Sequence, residues 1–382
     1  MAPKADAERG AKVILLGLGL IGGPMLESLA RTPSIASIYV CRREEERALD
    51  QIENARIGAA LEGRHPEIRF VKLDIDDLEG SAEVIGRIKP EVILNTASLQ
   101  SAYFLQGKIP ESLYYKVNYE AGIAPWVPIH LVVLHKLMKA VKRSKSNAPV
   151  VNVSVPDITH AVLQKVGLAP TVGAGNVSHY SAKVRVMVSD KLKIPAGHIS
   201  VSMIFHHGEA SHIRATGKPS GAPVFLRVYH NGSDITSKLN VQKLLVAAVR
   251  LPPVNLPASL LVSSTIRNAL ALLSESGVST NAPGPGGLPG GWPVMLDRRG
   301  AHVQLPSSLT MEEAVRMVEE QQLGDGIESI EKDGTVVLTP KSHRVMKEAL
   351  GVDHQVLRLQ EMEPLAQELM GKSRELLKKS AA

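Results

Sequence analysis

The chain has 382 residues, and at ~100–200 residues per domain that length implies two domains. Hydrophobic residues make up 44%, enough for ordinary packed cores. No apolar run approaches the ~18 residues of a membrane-spanning helix, so neither a membrane protein nor a membrane partner is expected. The charge balance is a mild +6 and aromatic residues are only 3%, too few stacking platforms for a nucleic-acid partner.

Residues 1–10 are polar, carry no basic-then-apolar signal pattern, and predict a solvated tail. The single cysteine, Cys41, excludes an internal disulfide and a cysteine zinc cluster and suits a reducing cytoplasm, the location expected here. Short apolar runs predict strands at 12–17, 36–41, 68–73, 91–96, 149–154 and 171–175. Their near-continuous apolar character suits strands covered on both faces. Helical patterns intervene at 22–31, 44–61, 81–88, 120–143 and 157–166, with Pro125 and Pro128 expected to kink or interrupt the start of the fourth. This alternation predicts a parallel, doubly wound α/β sheet over residues 1–175.

Past Gly175 the rhythm changes. A helix is predicted at 179–192, strands at 199–205 and 223–229, and helices at 236–250, 260–273, 311–321 and 354–378. The Gly/Pro-rich stretch 282–293 reads as a rigid surface or interface loop, since neither a helix start nor a lysine follows it in phosphate-binding fashion. Residues 176–382 therefore predict an α+β substrate domain. The basic runs 139–145 and 372–379 read as solvated helix faces.

The strongest motif is Gly17-Leu18-Gly19-Leu20-Ile21-Gly22. It follows a buried-type strand and opens an amphipathic helix, the context that gives a GxGxxG pattern meaning. Gly17 permits a tight turn, Gly19 lets backbone N–H groups approach a pyrophosphate at the helix N-terminus, and Gly22 lets helix and strand pack closely. With Leu20 and Ile21 these form the expected dinucleotide loop of a Rossmann domain. At the end of the second strand, an acid ~20 residues past the glycines would bind a ribose 2′-hydroxyl; Arg42 and Arg43 stand there instead. Two guanidiniums can grip a 2′-phosphate, so NADP is the expected cofactor and NAD the second choice. The alternative is that both arginines begin a solvated helix and pair with Glu44–Glu46. Asp74 could meet the adenine or cap its own turn. Thr96, Ala97 and Ser98 end the fourth strand and Ser154 the fifth, beside the expected nicotinamide ribose.

Beyond the fourth strand the sequence resembles the lactate/malate dehydrogenase superfamily, which also contains the family 4 glycosidases. Val151–Thr159 is similar to that superfamily's Ser-Asn-Pro-Val-Asp turn. Gly173-Ala-Gly175-Asn176 followed by Ser181-Ala-Lys183-Val-Arg185 is similar to its Gly-x-Gly run and Asp-Ser-x-Arg helix. His206-His207-Gly208-Glu209 resembles the element carrying its catalytic histidine, and Ser263–Asn268 its substrate-facing helix. The resemblance implies His207 as acid/base and Asn176, Thr265 and Asn268 as substrate-binding residues. Departures are equally specific. Tyr180 occupies the position of the histidine's carboxylate partner, so His207 is expected to lack one. Lys183 replaces the substrate arginine, and residues 99–127 supply no arginine. The glycosidases' metal-binding cysteine falls near Gly175, so their metal site is not expected.

The residues also speak without the resemblance. His179 and Lys183 are i,i+4 neighbours on one predicted helix face. His206 and His207 end a strand at the head of the second half. An imidazole with its ordinary pKa near ~6.5 can donate a proton as hydride reaches a carbonyl carbon, and a lysine can hold an anionic group. A metal held by His179, His206 and His207 is the alternative use of these rings, although none is expected. Tyr180 and Lys183 are i,i+3, not the i,i+4 of the short-chain dehydrogenase pair. The sequence thus predicts an oxidoreductase, a homodimer or homotetramer, acting on a small carbonyl/hydroxyl substrate, anionic if Lys183 anchors it. His207, His206, Lys183, His179 and Tyr180 are the candidate catalytic groups. A hydrolase or lyase of the family 4 glycosidase type, or a non-catalytic dinucleotide sensor, are the alternatives.

Overall fold

A computed structural model describes residues 10–250 and 258–381. The solvated tail expected over 1–10 lies outside the described residues, except for Gly10. Six parallel strands form the main sheet: β1 (Ala11–Leu16), β2 (Ile35–Arg42), β3 (Glu67–Lys72), β4 (Val92–Asn95), β5 (Val150–Asn152) and β6 (Val172–Gly173). Their order is β3-β2-β1-β4-β5-β6. The winding reverses between β1 and β4, and such a switch opens a crevice at the strands' carboxyl ends. Register places those ends level, with Leu16 opposite both Cys41 and Asn95, and Asn95 opposite Asn152, itself opposite Gly173. The next residue or two of each strand therefore reach one edge.

Alternation along β1 sends Val13 and Leu15 to one face and Ile14 and Leu16 to the other, each into its own core. The first core is covered by α1 (Gly22–Arg31), α2 (Glu46–Leu61) and, from far along the chain, α10 (Ala258–Leu272). On the second face lie α3 (Leu78–Ile88) and α5 (Val127–Ser144). Between β4 and α5 the chain makes a short helix, α4 (Glu111–Tyr115), a π-helical turn (Lys116–Glu120) and a 3-10 turn (Ala124–Trp126). Pro125 and Pro128 lie in the first turns of this 3-10 turn and of α5, where a missing N–H does no harm, and the helix read over 120–143 is interrupted at its start, as those prolines led one to expect. The sheet ends with α6 (Pro156–Gln164) and α7 (Val177–Leu192).

The second half is antiparallel, completing an α/β architecture with an added α+β region. One sheet joins β7 (Ile199–Ile204), β8 (Phe225–His230) and β9 (Ser233–Asp234), with α8 (His207–Thr216) and α9 (Val241–Arg250) beside it. Another joins β10 (Val278–Pro283), β11 (Gly291–Asp297) and β12 (Gly300–Val303). Phe205 and Gly291 exchange backbone hydrogen bonds of 3.0 and 2.8 Å, tying the end of β7 to the start of β11. The stretch 282–293 is thus the tip of a hairpin, and it is internal: His160 bonds Gly284 O at 2.8 Å, and Gly290 N reaches Asp157 O at 3.1 Å. That corrects the expected surface loop. After α11 (Met311–Gln322), the sheet β13 (Ile327–Ile330), β14 (Val336–Leu338) and β15 (Val356–Leu357) and helix α12 (Pro340–Leu350) were not foreseen. Helix α13 (Met362–Ala381) returns to pack on α5. Among the described residues no single helix is long and apolar enough to cross a membrane.

Candidate active site

The level strand ends frame a cleft of about 830 Å³, lined by Gly17, Arg42, Thr96, Val153, Ser154 and Ala174 from five of the six strands' termini. At Gly17 the backbone turns with φ +95°, and Thr96 Oγ1 donates toward Leu16 O and Gly17 O, both at 3.0 Å. A Cβ on Gly22 would lie 2.2 Å from Gly17 O, so only glycine lets α1 start this close. A Cβ on Gly19 would meet nothing within 4 Å, because Gly19 faces the cleft itself. Leu20, Ile21, Ala97 and Ser98 line the same space. A bare backbone at a helix N-terminus, open to a cavity, fits a pyrophosphate.

At the β2 end, Arg42 and Arg43 both line the cleft, joined by Arg47 and Glu44. Neither of the two sequence-predicted arginines is without acids. Arg42 lies 3.8 Å from Glu44, and Arg43 lies 3.8 Å from Asp74 and 3.3 Å from Asp76. Asp74 does not line the cleft; its carboxylate accepts from Asp76 N at 3.1 Å and its carbonyl from Asp77 N. Of its two readings, the turn cap is the one observed.

Toward β5, buried Asn95 and Asn152 hold one another at 2.8 Å, and Asn152 Oδ1 accepts from Ser154 N at 3.0 Å. Ser154 Oγ meets His130 Nδ1 at 2.9 Å. Burial pushes His130 down to about 4, so this ring is neutral and serves as a hydrogen-bond partner for Ser154. Beyond the turn, fully buried Asp157 takes Asn176 Nδ2 on one oxygen and His207 N, at 3.2 Å, on the other. It thereby ties the start of α7 to the start of α8.

His207 opens α8 and lines the cleft. Its Nδ1 lies 3.0 Å from both oxygens of Asp325, a residue with no exposure. Ser211, one turn on, donates to Asp325 Oδ1 at 2.7 Å. Burial lowers the pKa of His207, but the Asp325 charge and hydrogen bond outweigh it and hold the imidazole above its ordinary value. Burial likewise raises Asp325, and His207 overrides it, keeping the carboxylate below its usual range. Both directions follow from the same histidine–carboxylate contact. With Nδ1–H donated to Asp325, Nε2 is the nitrogen left for the cleft.

Arg214 lies two turns along α8 and also lines the cleft. Its Nη2 donates to Tyr180 Oη at 3.0 Å, and its guanidinium sits 5.8 Å from the Tyr180 ring centroid. Lys183 Nζ is 5.8 Å from the same centroid, and its pKa is lowered by burial and by Arg214. His179 lines the cleft beside them, pushed down to about 4 by burial.

A cleft at a topological switch, bordered by a glycine turn and by a histidine–aspartate pair from the antiparallel half, is a recognisable whole. The fold is that of the lactate and malate dehydrogenases. The lactate dehydrogenase of Eimeria maxima, with NADH and oxamate, superposes with a TM-score of 0.57 at 15% identity, covering 83% of this chain and 92% of its own. The malate dehydrogenase of Cryptosporidium parvum gives 0.57 at 15% identity over 83% of this chain and 98% of its own. That of Plasmodium falciparum gives 0.54 at 13% identity over 96% and 99%. No family model and no curated protein matches the sequence.

Within this dehydrogenase fold, several site expectations need correction. His207 does have a carboxylate partner, Asp325, in place of the position held by Tyr180. His206 does not face the cleft. It is fully buried, accepts from Gly208 N at 2.9 Å to cap α8, and its own N–H goes to Gln321. With His206 turned away, the three histidines 179, 206 and 207 do not converge, and no metal-ligand cluster is found among the described residues. Thr265 and Asn268 are also fully buried, away from the cleft: Thr265 donates to Leu261 O of its own helix at 2.7 Å, and Asn268 donates to Gly173 O at 2.9 Å, fastening α10 to the sheet. Asn176, Tyr180, Lys183, His179 and Ser154 do line the cleft.

Asp325 and Arg214 were missed. Asp325 sits in Gly324-Asp325-Gly326, and the signal was those flanking glycines. A Cβ on Gly324 would lie 2.0 Å from Gly208 O, and one on Gly122 2.2 Å from Asp325 C and O. Glycines on three elements let the aspartate's turn press against His207.

Proposed function

We propose that the chain is a divergent member of the lactate/malate dehydrogenase superfamily and a nicotinamide-dependent oxidoreductase. It moves a hydride between the cofactor and a carbonyl/hydroxyl pair, with His207 as acid/base. The observation that carries this reading is the His207–Asp325 pair opening onto the same cleft as Gly17 and Gly19. When bound, the reduced nicotinamide supplies the hydride, two electrons and a proton's nucleus, to the carbonyl carbon. His207 Nε2 gives its proton to the carbonyl oxygen, forming the alcohol. Asp325 holds the Nδ1–H, fixes the tautomer and stabilises the imidazolium before transfer. Lys183 and Arg214 place two positive charges where an anionic substrate group would sit.

NADPH over NADH is the cofactor we favour. Three guanidiniums, Arg42, Arg43 and Arg47, face the cleft at the β2 end against Glu44, whose side chain is 74% exposed. A 2′-phosphate can take charge-assisted bonds from them. The test of the function is turnover of the reduced nicotinamide, followed by its absorbance, across a panel of oxo acids. His207→Asn is expected to lower turnover at least ~10²-fold, the usual size for a lost general acid/base, with cofactor affinity retained. Full activity in that variant would overturn the assignment.

A further inference from the structure

We infer, resting on the oxidoreductase reading above, that the substrate is an oxo or hydroxy acid with a planar aromatic body, its carboxylate held by Arg214. The cleft's catalytic end has two surfaces of different chemistry. One carries Arg214 and Lys183, both 5.8 Å from the Tyr180 ring. Arg214 makes its side-chain hydrogen bond to a neutral phenol, and the two carboxylates nearby, Asp157 and Asp325, are fully buried and already taken. Positive charge against a neutral partner in a half-buried wall favours an anion, and a guanidinium can bind a carboxylate through two parallel N–H bonds.

The other surface is aromatic. The chain has only 7 tyrosines. Tyr103, Tyr114, Tyr119 and Tyr180 all line this end of the cleft. Tyr115 packs behind them, with ring centroids 5.6 Å from Tyr119, and donates to Ala215 O. Desolvation pushes Tyr103 up to about 12. Leu260, Leu261 and Ile123 complete the apolar lining. Such a wall is too extensive for a three-carbon acid to cover, whereas an aryl group can lie against its tyrosine rings edge-to-face or offset. The wall is also held in place. Ser342 donates to Ala121 O at 2.6 Å, Trp126 Nε1 to Val117 O at 2.9 Å, and Lys116 pairs with Glu348 at 3.2 Å.

The test is calorimetric titration of the full chain saturated with oxidised NADP, which prevents turnover of a carbonyl probe. The probes are phenylpyruvate, pyruvate, and phenylacetone, the aryl ketone without the carboxylate. Phenylpyruvate is expected to bind at least ~10-fold more tightly than either of the others. Arg214→Met is expected to weaken phenylpyruvate ~10- to 10²-fold, the range of a lost hydrogen bond to a charged group, and to leave phenylacetone and NADP binding unchanged. Tyr119→Ala, which leaves the Arg214–Tyr180 contact intact, is expected to erase the advantage over pyruvate. Equal affinities for phenylpyruvate and pyruvate in the wild-type chain, or unchanged phenylpyruvate binding in Arg214→Met, would overturn the inference. If NAD binds where NADP does not, the titration is run with NAD; failure of both to bind would instead overturn the oxidoreductase reading on which the inference rests.

Discussion

The two ends of the cleft are built differently. The end proposed for the dinucleotide comes almost wholly from two short stretches, Gly17 to Gly22 and Arg42 to Arg47, set by one strand–turn–helix and the end of the neighbouring strand. The catalytic end is assembled from segments far apart: Tyr103 to Tyr119 after β4, Tyr180 and Lys183 on α7, His207 and Arg214 on α8, and Asp325 beyond α11. Local backbone geometry therefore specifies the first, and long-range packing specifies the second. Substitutions should divide accordingly, with changes at one end moving cofactor affinity and changes at the other moving turnover and its pH dependence.

The largest effect is expected at the local end. Gly19→Val places a branched side chain in the open space in front of the turn, where the pyrophosphate must approach. Cofactor fluorescence titration should show binding abolished while circular dichroism and thermal melting remain those of the wild type. Unchanged affinity would reduce the motif to a turn and dissolve the contrast between the two ends.

Asp325→Asn sharpens the other side. The carboxylate is what holds the His207 pKa above ordinary. A proton donor must be protonated, so reduction should be fast below that raised pKa and fall as pH climbs through it, a limb lying above ~6.5. With the carboxylate gone, burial and the Arg214 charge push the imidazole down against Asp157 alone, and the limb should move to lower pH. Turnover at neutral pH should drop ~10- to 10²-fold, from one hydrogen bond to a charged group, with cofactor affinity unchanged. A pH profile that does not move would separate Asp325 from the chemistry.

The smallest effect belongs to cofactor choice. Arg42→Ala with Arg43→Ala should weaken NADPH by about tenfold and NADH little, since exposed charge pairs contribute modestly. A wild-type preference for NADH would remove the 2′-phosphate reading and leave the arginines to Glu44, Asp74 and Asp76.

This contrast also explains what the sequence revealed. The six-stranded sheet was legible because buried parallel strands are apolar throughout and each is followed by helical periodicity. The Gly17–Gly22 loop and the β2 arginines were legible because their roles depend on neighbours in sequence. Asp325 was not, since its partner is 118 residues away and its flanking glycines, the one local signal, do not say what the turn packs against. Arg214 reads as an ordinary helical cation until α8 is seen edging the cleft. The antiparallel strands β10 to β12 escaped because Ser, Asn, Gly and Pro, residues depleted from strands, interrupt them, and β13 to β15 because runs of two to four residues show no alternation to read. Thr265 and Asn268 misled for a related reason. A polar residue on a helix can face a ligand or a carbonyl, and here the carbonyls of Leu261, on the same helix, and Gly173, on the sheet, were the partners.

The central claim is that the dinucleotide and His207 meet in one cleft, and it can be tested without knowing the substrate. With selectively labelled histidine and bound NADPH, nuclear Overhauser spectra should show contact between the nicotinamide C4 proton and the His207 imidazole, assigned by its loss in His207→Asn. The account predicts that cross-peak. A bound cofactor whose nicotinamide protons contact the Arg42–Arg47 end, with none reaching His207, would contradict it.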